Sequence, residues 1–237
     1  MNGKSSDKVV LLAGGTGALG TAITLAFLAE KGRVVVTYRQ PEEFAALQKA
    51  AHGSQLEGHR LDVTDETAVR QLLDQVSAQY GRLDVLVNAV GAYAGGAALW
   101  DTDAKVFDNM LALNLRSGYV LSRTAVPLML KRGSGVVVNI ASRSALDHAA
   151  GAAAYAASKA AAGAMIDSLA AVLRGTGVRA NSVLPSIIDT AANRKAMPGA
   201  DFTKWPKPEE IARVILFLCS DDAKLINGAS VPVYGDA

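Results

Sequence analysis

The stretch Val9-Val10-Leu11-Leu12-Ala13-Gly14-Gly15-Thr16-Gly17-Ala18-Leu19-Gly20 decides the reading of this chain. A short apolar run stops at two glycines, and a helical pattern from Leu19 to Lys31 follows at once. A run without polar alternation suits a strand covered on both faces. Glycines allow a tight turn and close backbone approach, and a helix N-terminus attracts a pyrophosphate. Strand, glycine turn and helix in that order mark a dinucleotide site, with Gly14, Thr16, Gly17, Leu19 and Gly20 as its candidate residues.

The same alternation continues along the chain. Val34-Val35-Val36, Leu83 to Val87, Val136 to Ile140, Val178 to Leu184 and Ala229 to Val233 read as strands, with a weaker one before Asp62. Between them, helical patterns cover Glu42 to Ala51, Asp65 to Tyr80, Asp103 to Lys131, Ala153 to Arg174 and Pro208 to Ser220. Asp65 is a natural N-cap, and Pro208-Glu209-Glu210 a natural helix start. Pro127 is expected to kink or shorten the long fourth helix. The pattern predicts an α/β fold: a single-domain, Rossmann-type, doubly wound parallel sheet spanning residues 1–237. Ala191 to Lys207 reads as a surface loop or lid, with Trp205, Phe202 and Tyr93 as candidate lid aromatics.

Composition excludes several classes. The 237 residues are 50% hydrophobic and 19% charged, and the formal net charge is +2. That is globular and gives no basic footprint for nucleic acid or an anionic membrane. Met1 to Lys8 lacks the long apolar core of a signal peptide or span, so a cytoplasmic location is expected. Cys219, the single cysteine, follows Ile215-Leu216-Phe217-Leu218 and reads as a buried, inert thiol. No metal-ligand cluster stands out.

Tyr155 and Lys159 form Y-x-x-x-K, an i, i+4 pair on one helix face. A phenol titrating near ~10 exchanges protons poorly at neutral pH. A neighbouring ammonium favours the phenolate and makes that exchange feasible. Ser142, just after the strand Val136 to Ile140, could bond a substrate carbonyl. Asn114 is a helix-disfavouring amide within the long fourth helix; its plain alternative is a solvent-facing side chain. After the second strand, Tyr38-Arg39 stands where an acidic residue would bond a ribose, and a guanidinium pairs with a 2′-phosphate. NADP(H) is therefore favoured over NAD(H), against the alternative that Arg39 is simply solvated.

With these marks in place the chain resembles the short-chain dehydrogenase/reductase family over nearly its whole length. The resemblance rests on the glycine turn, Asp62-Val63, Asn88-Ala89-Val90-Gly91, Asn114, Ser142, Tyr155, Lys159 and Pro185 to Thr190. It implies that Tyr155 exchanges the substrate proton and that Lys159 lowers the tyrosine's pKa and holds the nicotinamide ribose. Ser142 would position the carbonyl oxygen, and Asn114 would anchor a water that relays protons. Asp62 with Val63 would meet the adenine, Asn88 would pack on the adenosine side, and Ile188 and Thr190 would hold the nicotinamide end. The resemblance also implies a homo-oligomer, a dimer or more often a homotetramer. Four features depart from the pattern: Ala13 replaces a threonine, the glycines fall at 14, 17 and 20, Ala89-Val90 replaces Asn-Ala, and Ser186 replaces a glycine.

The substrate implied is a small carbonyl or alcohol. Many relatives reduce 3-oxoacyl groups on acyl carrier protein, and Lys131-Arg132 is either a contact for such a carrier or a solvated helix end. The glycine turn, Gly91 to Gly96 and Asp189 through Trp205 also look like dihydropteridine reductase, a relative that uses NADH and lacks the serine. His148 either lines the pocket or is structural, and His52 and His59 read as surface residues. A rival of another class is a dinucleotide-binding regulator without turnover, against which the full set of proton-transfer residues argues.

Overall fold

The computed structural model describes residues 8–237; the polar start Met1 to Asp7 lies outside the described residues. Seven strands form one sheet: β1 (Val9–Ala13), β2 (Arg33–Tyr38), β3 (Leu56–Arg60), β4 (Val85–Asn88), β5 (Gly135–Ile140), β6 (Val178–Pro185) and β7 (Ser230–Val233). Their order is β3-β2-β1-β4-β5-β6-β7, and every pair is parallel.

The helices are α1 (Ala18–Ala29), α2 (Pro41–Ala50), α3 (Glu66–Tyr80), α4 (Ala104–Leu111), α5 (Ser117–Arg132), α6 (Ala153–Val172), α7 (Ala191–Ala196) and α8 (Pro208–Leu218). Two apolar layers sandwich the sheet. Val9, Leu11 and Ala13 of β1 face the layer shared with Leu72, Leu121 and Ile166, while Val10 and Leu12 face that of Ile23, Phe27 and Ile215. Burial of both faces explains why β1 carries no polar residue.

Strand order reverses direction between β1 and β4. The carboxyl ends of these strands therefore open a crevice, the position where doubly wound sheets bind ligands. The glycine turn leaves β1 there, and the segments after β4, β5 and β6 border the same edge.

Three local expectations are corrected. The fourth helix, expected from Asp103 to Lys131, is two helices joined by a π-helical turn at Ala112–Arg116. Pro127 does not break it, because α5 runs on to Arg132. The missing N–H removes a single ladder bond, and buried Leu121, Ala125 and Met129 hold the helix on the sheet. The segment 191–207 is not irregular throughout: it contains α7, capped by Thr190 accepting from Asn193 N at 3.2 Å, and a 3₁₀ turn at Phe202–Lys204. Asp65 caps α3 as expected, accepting from the Thr67 and Ala68 amides.

Candidate active site

The glycine turn is dictated sterically at two positions. Gly14 has φ +75°, and a Cβ on Gly20 would sit 2.0 Å from Gly14 O. Gly17 is different: a Cβ there would meet only Gly14 O at 3.6 Å, so its openness serves approach from outside the chain. Ala13 lacks the hydroxyl of the family pattern, but Thr37, its partner on β2, accepts from Gly14 N at 3.2 Å.

Beside this turn lies a cavity of about 470 Å³. It is bordered by Gly14, Thr16 and Gly17 of the turn, Arg39 after β2, and Asp62 with Val63 after β3. The turn's bare backbone suits the adenosine half of a dinucleotide, and Arg39 adds a cation to a border that also carries Glu43 and Asp62. Asp62 accepts from the Thr64 amide and hydroxyl, and these bonds, with Arg39 adding to them, hold its carboxyl below the usual range. Arg39 is exposed, and Arg60 donates to its carbonyl at 3.1 Å, bringing a second guanidinium to this edge. Glu43 on α2 borders the same cavity and accepts from the Thr16 hydroxyl at 2.8 Å. Neither Arg60 nor Glu43 was legible as a site residue, since Glu43 reads as an ordinary first-turn helix acid.

Asn88 and Leu19 are placed differently. Asn88 is buried, donates to Asn139 Oδ1 at 3.0 Å, and accepts from Val90 N at 3.2 Å. It holds the turn after β4 from inside rather than bordering the cavity. Leu19 packs on the core layer beneath α1.

Ser142, Tyr155, Lys159 and Asn114 converge at the ends of β4 and β5. The Ser142 side chain neighbours the Tyr155 phenol, and Ser142 Oγ accepts from Ser144 N at 3.1 Å. Burial raises the Tyr155 pKa above its ordinary value, while the neighbouring Ser142 hydroxyl works against that rise. Lys159 is 5% exposed and donates to Ile140 O at 2.8 Å; burial lowers its pKa to about 8.

Asn114 is not solvent-facing. It lies buried in the π turn, where Oδ1 accepts from Ala92 N at 2.9 Å and Nδ2 donates to Ala92 O at 3.0 Å. Nδ2 also donates to Ser158 Oγ at 2.9 Å, and that hydroxyl donates to Tyr155 O at 2.7 Å. A Cβ on Gly91 would meet Asn114 Oδ1 at 2.8 Å and Lys159 Nζ at 3.1 Å, which sets both groups against one backbone position. Ser158 was missed in the sequence although it shares the Tyr155 and Lys159 face by helical spacing.

After β6, where the nicotinamide end was expected, Ile188 O accepts from Asn193 Nδ2 at 2.8 Å, and the Thr190 hydroxyl caps α7. The aromatic trio separates. Trp205 is buried and packs on Phe202, their ring centroids 4.9 Å apart, whereas exposed Tyr93 sets its ring edge-on to Tyr155 at 5.0 Å. His148 and His52 are exposed, while half-buried His59 pairs with Glu57 at 2.7 Å. Arg132 is not simply solvated at its helix end, since it pairs with Asp84. Cys219 is buried, and burial pushes its thiol up to about 12, as an inert thiol requires. Among the described residues no cluster of candidate metal ligands occurs, and no helix is long and apolar enough to cross a membrane.

A family model described as enoyl-(acyl carrier protein) reductase matches residues 14–235. The chain belongs to the short-chain dehydrogenase/reductase family. It is 32% identical to the 3-oxoacyl-(acyl-carrier-protein) reductase FabG of Thermotoga maritima, with 96% of each chain covered. It is 33% identical to meso-2,3-butanediol dehydrogenase of Serratia marcescens, covering 98% of this chain and 94% of that one. Among solved structures it is similar to ElxO with NADP bound, at TM-score 0.90 and 27% identity, covering 97% of this chain and 98% of that one. As a short-chain dehydrogenase/reductase it is an oxidoreductase whose family works with NAD(P).

Proposed function

We propose that the protein moves hydride between NADP(H) and a carbonyl or alcohol substrate, with Tyr155 as the proton-exchanging residue. The observation that carries this reading is Tyr155 next to Ser142 and one helical turn from buried Lys159, at the carboxyl end of β5. The turn at Gly14, Gly17 and Gly20 and the cavity walled by Arg39, Asp62 and Val63 fit the dinucleotide. When bound, NADPH supplies the hydride that the carbonyl carbon accepts.

Tyr155 delivers its phenolic proton to the carbonyl oxygen, and the Ser142 hydroxyl holds that oxygen in reach. A protonated Lys159 on the same helix face stabilises the phenolate left behind. In the free protein Tyr155 is held protonated by burial, which suits a proton donor in reduction. Asn114 has its amide committed to Ala92 and Ser158, so we read it as a positioning residue for the Tyr155 helix and the segment after β4.

Arg39 supports NADP(H), the chain's similarity to an NADP-bound structure agrees, and Glu43 at the same cavity opposes a 2′-phosphate. A homo-oligomer in the cytoplasm completes the reading. Val106, Phe107, Tyr119 and Leu130 leave apolar side chains of α4 and α5 in water, which favours self-association.

The test is NADPH and NADH oxidation across a carbonyl panel including 3-oxoacyl thioesters, diketones and quinonoid dihydropterin. Tyr155→Phe is expected to lower kcat by roughly 10²–10⁴ with cofactor binding kept. Retained turnover would overturn the role of Tyr155, and cofactor binding with no turnover on any carbonyl would favour a non-catalytic regulator. Arg39→Ala should weaken NADPH binding roughly tenfold more than NADH, the loss of one charge-assisted contact of about 1.5 kcal/mol. Equal losses for both cofactors would refute the NADP(H) preference.

A further inference from the structure

At the amino end of the sheet, away from the nucleotide crevice, lies a second cavity of about 600 Å³. Six cationic side chains border it: Lys8, Arg82, Arg132, Arg174, Arg179 and Lys224. Among the described residues two carboxylates, Asp84 and Asp221, border it with them, an excess of four positive charges in a chain whose net charge is +2. β5, six residues at roughly 3.3 Å each, separates this cavity from Ser142.

The fold holds these donors in place. Arg82 and Arg132 share the one Asp84 carboxylate. Lys8 donates to Cys219 O at 2.8 Å, and Arg179 to the carbonyls of Leu218, Ser220 and Ile226. These carbonyls hold the cations in place but carry no net charge. Among the described residues, Arg174 and Lys224 have no ion-pair partner, and both are exposed at the rim. A concave surface of one sign focuses its potential into the cavity. Guanidinium forks and ammonium groups together are the donor set that recognises phosphate oxygens.

We propose that this cavity is an anion-binding site, separate from the nucleotide crevice, for a small multivalent phosphate-bearing anion of the diphosphate class. A singly charged ion leaves most of the excess charge uncompensated, whereas a diphosphate, with several negative charges, offsets most of it. The cavity volume suits a small ligand bearing that group. Burial draws down the pKa of Arg179, and an anion in the cavity relieves that cost.

The experiment is calorimetric titration of the full chain with inorganic diphosphate, orthophosphate and chloride at matched ionic strength, with saturating NADPH present to fill the nucleotide crevice. Saturable diphosphate binding, at least tenfold tighter than orthophosphate, is expected. The double variant Arg174→Ser/Lys224→Ser removes two rim cations that make no ion pair, and should weaken diphosphate at least tenfold while NADPH affinity stays unchanged. No saturable binding, equal response to all three anions, displacement of diphosphate by NADPH, or unchanged affinity in the double variant would each overturn the proposal. None of these results bears on the role of Tyr155, so the two readings fail separately.

Discussion

The Lys159 ammonium is enclosed by α6 and β5 and donates to the neutral carbonyl of Ile140. Burial lowers its pKa from 10.5 to about 8, a difference worth about 3 kcal/mol against the folded state. The sign follows from proton counting. Between about 8 and 10.5 the unfolded chain binds more protons at this site, so its contribution to stability improves as pH rises through that window. Below about 8 the full cost remains. Lys159→Met keeps the stem and removes the charge, so it should raise Tm by several degrees at pH 7 while abolishing turnover. The gain should shrink toward pH 10, and thermal scans of both proteins across pH 7–10 check it. A variant less stable than the parent at pH 7 would refute the account. Cys219, with its thiol pushed to about 12, moves stability the opposite way above pH 9, so the comparison must be between variants rather than along one curve.

The π turn between α4 and α5 is where an element carries a site. A continuous helix over 104–132 would have set Asn114 on a regular ladder, and residues 112–116 contain no proline or glycine to announce a break. The interruption puts a buried amide against Ala92 and Ser158, tying the segment after β4 to the helix that carries Tyr155 and Lys159. Asn114→Ala should cost about 2 kcal/mol, since Ala92 and Ser158 lose buried partners. Its kcat should fall at least tenfold while NADPH affinity changes little. Urea unfolding and steady-state kinetics measure the two effects, and a change confined to stability would remove Asn114 from the positioning role. Segment 191–207 teaches the reverse lesson. Its glycine and proline suggested a loop, but Thr190 caps a short helix and Trp205 is buried against Phe202.

At the scale of the whole molecule, Asp84 joins the start of the sheet to two helices' ends. Its carboxylate accepts from Val9 N at 2.8 Å and pairs with Arg82 and Arg132. Burial pushes its pKa up, but the Arg82 bond, the Val9 amide and Arg132 outweigh this and hold it below the usual value. Its stabilisation is therefore present above about pH 4 and lost as pH falls through the folded-state pKa. Asp84→Ala should destabilise by about 2 kcal/mol at pH 7, largely because Val9 N loses its acceptor; the arginines are partly in water and contribute less. The difference from the parent should narrow as pH falls below about 4, the Val9 bond persisting in part to a protonated carboxyl. Urea midpoints at pH 7 and pH 3 test this, and a pH-independent difference would contradict it.

Much was determined by the sequence alone. Apolar runs without alternation require a sheet covered on both sides, and Val9 to Gly20 required a turn that only glycine permits at 14 and 20. The order of strands and helices, the N-cap Asp65 and the inert Cys219 followed from local pattern because each depends on neighbours in the chain. Tertiary structure alone decided the rest. It set Glu43 against Thr16, Thr37 beneath Gly14, Ser158 against Asn114, and six cations around one cavity at the far end. Those residues are distant in sequence and ordinary in type, and their meaning lies in contacts that the winding of the sheet creates. The glycine turn was legible because its constraint is local; what surrounds it was not, because hydrogen bonds and charge across strands leave no periodic trace in the chain.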